Sequence, residues 1–152
     1  MATYNSLQAQ YRARHGKLVQ PRQGWNSLHP DLWLAYSMGR KRGYDDVGTY
    51  ANKPGDHSWG DRHGEPGMAL AFDLRRPGWN GRYGWGWLNA RRLARFYVKH
   101  AYALNLNYVI CGRKYASRRT GFRWVPLTTG DTSHDWHLHV SGADPDGHQG
   151  GQ

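Results

Sequence analysis

In residues 68–74 large apolar side chains alternate with small ones. Leu70, Phe72 and Leu74 fall on one side of an extended chain, and Ala69, Ala71 and Asp73 on the other. The pattern predicts a strand with one face against a core, while the two alanines of the other leave room beside a carboxylate. From Asn89 the period changes. Ala90, Leu93, Tyr97, Ala101 and Leu104 recur every three or four residues, with Arg91, Arg92, Arg95 and Lys99 mostly off that stripe, so an amphipathic helix is expected. Shorter helices are expected around residues 7–14, ending at Gly16, and from Pro30 to about Arg42, with Gly43 as the stop. Residues 107–117, 122–127 and 138–141 read as further strands. Residues 43–67 hold six Gly and two Pro and read as a long loop, as does the Gly/Trp-rich stretch 77–87. The expected class is α+β, a small antiparallel sheet with helices packed on one face. It divides into an N-terminal helical segment (1–49), a core (50–142) and a flexible Gly-rich tail (143–152), all in a single domain.

Composition narrows this picture. A chain of 152 residues and 17.4 kDa makes one domain, and a mean hydropathy of −0.88 leaves no membrane span. Few aliphatic residues and a net charge of +10 would suit a disordered chain, but 8 Trp, 10 Tyr and 3 Phe supply the area of an aromatic core. Twenty-one Lys and Arg against 11 acids imply an anionic partner: nucleic acid, an anionic membrane surface or an acidic wall polymer. The opening residues, Met1 to Gln8, have no basic n-region and no apolar h-region. They predict a protein made in the cytoplasm without a signal peptide, which something else must deliver if it acts outside. The single Cys111 excludes an internal disulfide and a Cys-rich metal site, and its apolar neighbours predict a buried, inert thiol.

Candidate chemistry lies in the nine histidines. Three fall within His134-Asp135-Trp136-His137-Leu138-His139, and on a strand His137 and His139 share one face. Two such imidazoles can bind one metal together, or one can bind while its neighbour handles protons. Upstream lie Asp56-His57, His63 and Asp73. A carboxylate with two imidazoles and an open position is the ligand set of a catalytic zinc site, which brings the pKa of bound water to ~7. The same residues also allow a plain surface pair of histidines and an Asp73 that caps a turn or pairs with Arg75 or Arg76.

Three segments carry a family resemblance: Ala69-Leu70-Ala71-Phe72-Asp73 with a His upstream, Asn107-Tyr108-Val109-Ile110, and His134 to Ser141. Over roughly residues 50–142 the chain resembles the LAS-type zinc peptidases that cut peptidoglycan peptides. That group includes D-Ala-D-Ala carboxypeptidases, the penicillin-insensitive murein endopeptidase and phage endolysins. The His-x-x-His-x-His ending is most similar to the murein endopeptidase branch, and the surroundings of Arg113, Ser117 and Arg123-Trp124 resemble versions from actinobacteria and their phages.

The resemblance implies a hedgehog/D-Ala-D-Ala-peptidase-like fold and a Zn2+ held by Asp73, His139 and one upstream histidine. Pro66 stands where the family pattern has that histidine. The loop context Gly55-Asp56-His57 favours His57, with Asp56 orienting a neighbouring imidazole, and His63 is the alternative. His137 would be a general base or transition-state stabiliser supported by His134, and Arg113 or Arg123 would bind a substrate carboxylate. Trp59, Trp85, Trp87 and Trp136 are candidates for stacking on sugar rings or for the core. The implied partners are a peptidoglycan peptide, an anionic wall polymer and phage tail proteins, with the protein acting at the bacterial wall or in a virion. Two rival functions stand beside this. One is a non-catalytic tail or wall-binding protein that keeps the fold. The other, a basic nucleic-acid-binding protein or nuclease, is disfavoured because no ββα arrangement follows His139.

Overall fold

The alternation around Phe72 becomes strand β2 of a six-stranded antiparallel sheet in the computed structural model, which describes residues 4–145. The strands are β1 (Asp45–Gly48), β2 (Ala71–Arg75), β3 (Leu106–Cys111), β4 (Lys114–Ser117), β5 (Val125–Pro126) and β6 (Leu138–Gly142). Their spatial order is β1-β2-β6-β3-β4-β5, so the last strand in the chain lies between β2 and β3. Its register sets Asp73 and Ile110 on either side of His139, and Tyr108 beside Ser141.

Three α-helices are described: α1 (Tyr4–His15), α2 (Trp33–Arg40) and α3 (Gly84–Lys99). Helices α2 and α3 cover the apolar face of the sheet. There the Phe72 ring meets Tyr36 of α2 edge-on at 5.7 Å and Tyr97 of α3 at 6.0 Å. The Tyr97 hydroxyl donates to the Ala35 carbonyl at 2.6 Å, tying the helices together inside the core. Their close approach depends on Gly39, where a Cβ would lie 2.3 Å from a Leu74 methyl and 2.6 Å from the Tyr97 oxygen. Asp73, His139, Ser141 and Tyr108 lie on the other face of the sheet, away from these helices.

The structure departs from the expected elements in several places. Residues 43–67 hold β1 and a 3-10 segment, Asp56–Arg62, rather than only loop. Strand β1 shows no apolar period because its inward residue is Asp46, satisfied by the Tyr36 hydroxyl at 2.8 Å and the Arg22 backbone N–H at 2.9 Å. Helix α3 begins at Gly84, not Asn89. Its glycines are poor helix formers, but a Cβ at Gly86 would sit 2.4 Å from Trp79 Cα, so close packing selects glycine there. The helix ends at Lys99, and Ala101 and Leu104 are buried beyond it. Residues 107–117 divide into β3 and β4 at a turn through Gly112, whose φ of +64° suits glycine. The strand expected over 122–127 shrinks to Val125–Pro126.

Residues before 50 share the one core: Leu28, Leu32, Leu34 and Tyr36 are fully buried in it. Residues 146–152 of the expected tail, His148 among them, lie outside the described residues. No helix among the described residues is long and apolar enough to cross a membrane.

Candidate metal centre

Asp73 sits in the middle of β2, and hydrogen-bonded pairing of β2 with β6 brings His139 directly opposite it. His139 Nδ1 lies 2.9 Å from Asp73 Oδ1. The third member comes from the 3-10 segment after Gly55: His57 Nε2 is 3.2 Å from Asp73 Oδ2. One ligand atom from each of His57, Asp73 and His139 falls within 4.8 Å of the others, so the group can hold a metal ion.

Two further observations fit a metal. The outer nitrogen of each imidazole already has a partner: His57 Nδ1 donates to the Thr49 carbonyl at 2.5 Å, and His139 Nε2 lies 2.8 Å from Ser141 Oγ. These contacts leave the inner nitrogens, His57 Nε2 and His139 Nδ1, facing the carboxylate, as metal-binding histidines require.

Behind His139 a second layer joins Asp56 to Tyr108 and Ser141, two residues given no role in the sequence analysis. The Tyr108 ring stacks on His139 with centroids 5.4 Å apart. The Asp56 carboxyl is pushed up by burial, against hydrogen bonding from the Ser141 and Tyr108 hydroxyls. Asp56 therefore acts on His139 through Ser141 rather than by gripping the adjacent His57 ring. Strand parity carried a signal for Ser141, two residues after His139 on the same face, and register placed Tyr108 across from it.

Burial alone would raise the Asp73 carboxyl, but hydrogen bonds and charge from His139 and His57 hold it well below the usual carboxylate range. Burial works to lower His57, yet its contacts with Asp73 and Thr49 leave it raised. The remaining histidines of the motif close the rim. His137 Nε2 is 3.6 Å from Asp73 Oδ2, and burial lowers its pKa. The His134 ring lies 4.9 Å from that of His137 and 5.7 Å from that of His139. Burial, then the neighbouring imidazoles, bring His134 down to about 4.

The structure thus gathers His57, Asp73, His139, His137 and His134. It places the other candidates elsewhere. His63 stacks flat on Trp59, with centroids 4.4 Å apart, and is not among the ligand atoms. Arg113 is clamped by Asp135, with Nε 3.2 and 3.1 Å from its two carboxylate oxygens and Nη2 at 2.9 Å. Arg123 turns back to the Thr120 carbonyl at 3.2 Å. Of the tryptophans, Trp59 is core, while Trp85 (74% exposed) and Trp136 (43%) face solvent, with Arg75 5.7 Å from the Trp136 ring. No family model matches the chain, and no curated protein or solved structure matches it either.

Proposed function

We propose that this chain is a zinc-dependent peptidase of the LAS type, with the hedgehog/D-Ala-D-Ala-peptidase fold, that hydrolyses stem or cross-link peptides of peptidoglycan. The observation that carries the reading is the His57–Asp73–His139 group with a fourth imidazole, His137, at its rim. Two imidazoles and a carboxylate suit zinc, and the sequence around them resembles that family at both ends of the site. When bound, the metal would supply Lewis acidity toward the scissile carbonyl and lower the pKa of a water.

The chain's own groups do the rest. Thr49 and Ser141 fix the orientation of the His57 and His139 rings. His137, its pKa lowered by burial, is neutral at pH 7 and takes a proton from the attacking water at Nε2. It then delivers that proton to the departing nitrogen as the C–N bond breaks, so one amide and one water become a carboxylic acid and an amine, which end as carboxylate and ammonium at neutral pH. His134, held down to about 4, stays neutral beside it and adds no positive charge to repel the proton His137 gains. The excess of Lys and Arg, net +10, favours retention on an anionic wall. On this reading the protein is a phage-encoded lysin or virion component that works at the bacterial wall.

The test is digestion of purified peptidoglycan by zinc-loaded protein, with released amine and carboxyl termini read by mass spectrometry. Cleavage is expected in the loaded protein and not in His137→Ala or Asp73→Ala. A zinc-loaded protein that frees no termini from peptidoglycans of differing cross-links would refute the reading.

A further inference from the structure

A second concavity lies on the opposite side of the sheet. Tyr108 of β3 faces His139, so Cys111, three residues on, points to the helix side. There Cys111 helps to line a cleft of about 350 Å³ between α3 and the β3–β4 turn. Five cations surround it: Arg91 and Arg95 from α3, Arg82 before that helix, and Arg113 and Lys114 from the turn. The only carboxylate partner within this set is Asp135, which Arg113 and Arg82 share at 2.9 and 3.5 Å. Arg91, Arg95 and Lys114 have no carboxylate partner among the described residues. Arg91 and Arg95 stand one helical turn apart, where like charges repel. Like charges so placed disfavour one another, and an anion in the cleft would relieve them.

The remaining walls are flat. Trp87 and Trp124 both line the cleft and are half-buried. Trp87 is seated by Gly112: a Cβ there would lie 2.5 Å from the tip of its indole, so the backbone turn reserves space for the ring. Guanidinium forks match phosphate oxygens in pairs, and an indole face accepts a ring. A volume of about 350 Å³ lies in the range of small-molecule sites rather than extended polymer grooves. The thiol is not a competing explanation, because burial pushes Cys111 up to about 12 in spite of the nearby Arg91 and Arg95.

We infer that this cleft is a binding site for a small ring compound carrying two or more phosphate charges, either a nucleotide or a sugar phosphate. The phosphates meet Arg91, Arg95 and Lys114, and the ring lies against Trp87 or Trp124. The site is separate from the metal centre and does not depend on the peptidase reading.

The experiment is isothermal titration of the full chain, at low salt, with inorganic pyrophosphate, adenosine diphosphate, a hexose bisphosphate and a short single-stranded oligonucleotide. Saturable one-to-one binding of a ring compound, tighter than pyrophosphate, is expected. Preference for adenosine diphosphate marks a nucleotide as the source, and preference for the hexose bisphosphate marks a sugar phosphate. The double variant Arg91→Ala/Arg95→Ala should weaken binding about tenfold or more. Both positions are exposed on a helix, where alanine is a good helix former, so folding is retained. Trp124→Ala should weaken the ring compounds while leaving pyrophosphate unchanged, and His139→Ala should alter neither. The inference is overturned by no saturable binding at about 1 mM ligand, a concentration that nearly fills any site with a micromolar Kd. Unchanged affinity in the double arginine variant overturns it too, as does pyrophosphate binding as well as any ring compound. An oligonucleotide that binds more tightly than every small ligand would reassign the cleft to nucleic acid.

Discussion

Removing and restoring metal should change the stability of this protein by an amount set by the His57–Asp73–His139 group. The three ligand atoms already lie within 4.8 Å of one another, so loading requires little rearrangement. A ligand that binds only the folded state at 100 times its Kd adds about 2.7 kcal/mol, and a domain of this size gains ~2–4 °C in Tm per kcal/mol. Zinc at that excess should therefore raise Tm by roughly 5–10 °C over chelated protein.

The pH dependence gives a second, independent handle. In metal-free protein the pKa of His57 is raised, so its contribution to stability is fully present below its unfolded value of about 6.5 and is lost as pH rises through the folded value. Asp73 is depressed, so its contribution is present above about pH 3.9 and is lost only in acid. Metal needs both imidazoles deprotonated, so the zinc increment grows over the window in which the His57 contribution fades. Circular-dichroism melts with chelator and with zinc, at roughly pH 6 and pH 8, should show a larger zinc shift at the higher pH. Asp73→Asn should abolish the shift. A wild-type Tm that zinc leaves in place at both pH values, or an equal shift in Asp73→Asn, would refute the assignment of this group as a metal site.

Other consequences are as direct. Ser141→Ala removes the partner of His139 Nε2 and should weaken zinc about 10–100-fold, measured by competition with a chromophoric chelator; unchanged affinity would separate the Asp56–Ser141 layer from the metal. His134 is depressed to about 4, so its contribution is complete above about pH 6.5 and is lost as pH falls toward about 4. His134→Gln should therefore flatten the acid limb of metal-free stability by up to about 3 kcal/mol, read by urea melts across that window. Gly39→Ala would place a methyl 2.3 Å from Leu74 and should cost about 1–3 kcal/mol by overpacking, seen as a lower urea midpoint with an unchanged slope.

Sequence patterning reached some parts of this molecule and not others for identifiable reasons. Strand β2 was legible because it alternates large and small residues, and β6 because His137 and His139 share a face. That Asp73 and His139 meet was implied by the family resemblance, not by spacing or composition, and the β2–β6 register places them side by side. The preference for His57 over His63 rested on loop context alone, because spacing from Asp73 suits neither. Tertiary contacts separate them: the Thr49 carbonyl holds the His57 ring at the carboxylate, while Trp59 takes the His63 ring flat against itself. Arg113 looked available for substrate because its partner, Asp135, is 22 residues away and faces it only after β3 and β4 turn back. Strand β1 escaped notice because its buried member is a carboxylate, which no hydrophobic period reports.

The sheet order also governs how the protein comes into being. Strands β2 and β3 have no hydrogen bonds to each other, and β6 alone joins them. As the chain leaves the ribosome, β1–β2 and β3–β4–β5 can form only as two separate ribbons, each with an open edge. Residues 138–142 then enter between them, closing the sheet and setting His139 opposite Asp73 in the same event. The three side chains thus cannot gather in a partly synthesised chain, and His139 meets Asp73 and His57 only once β6 is in place.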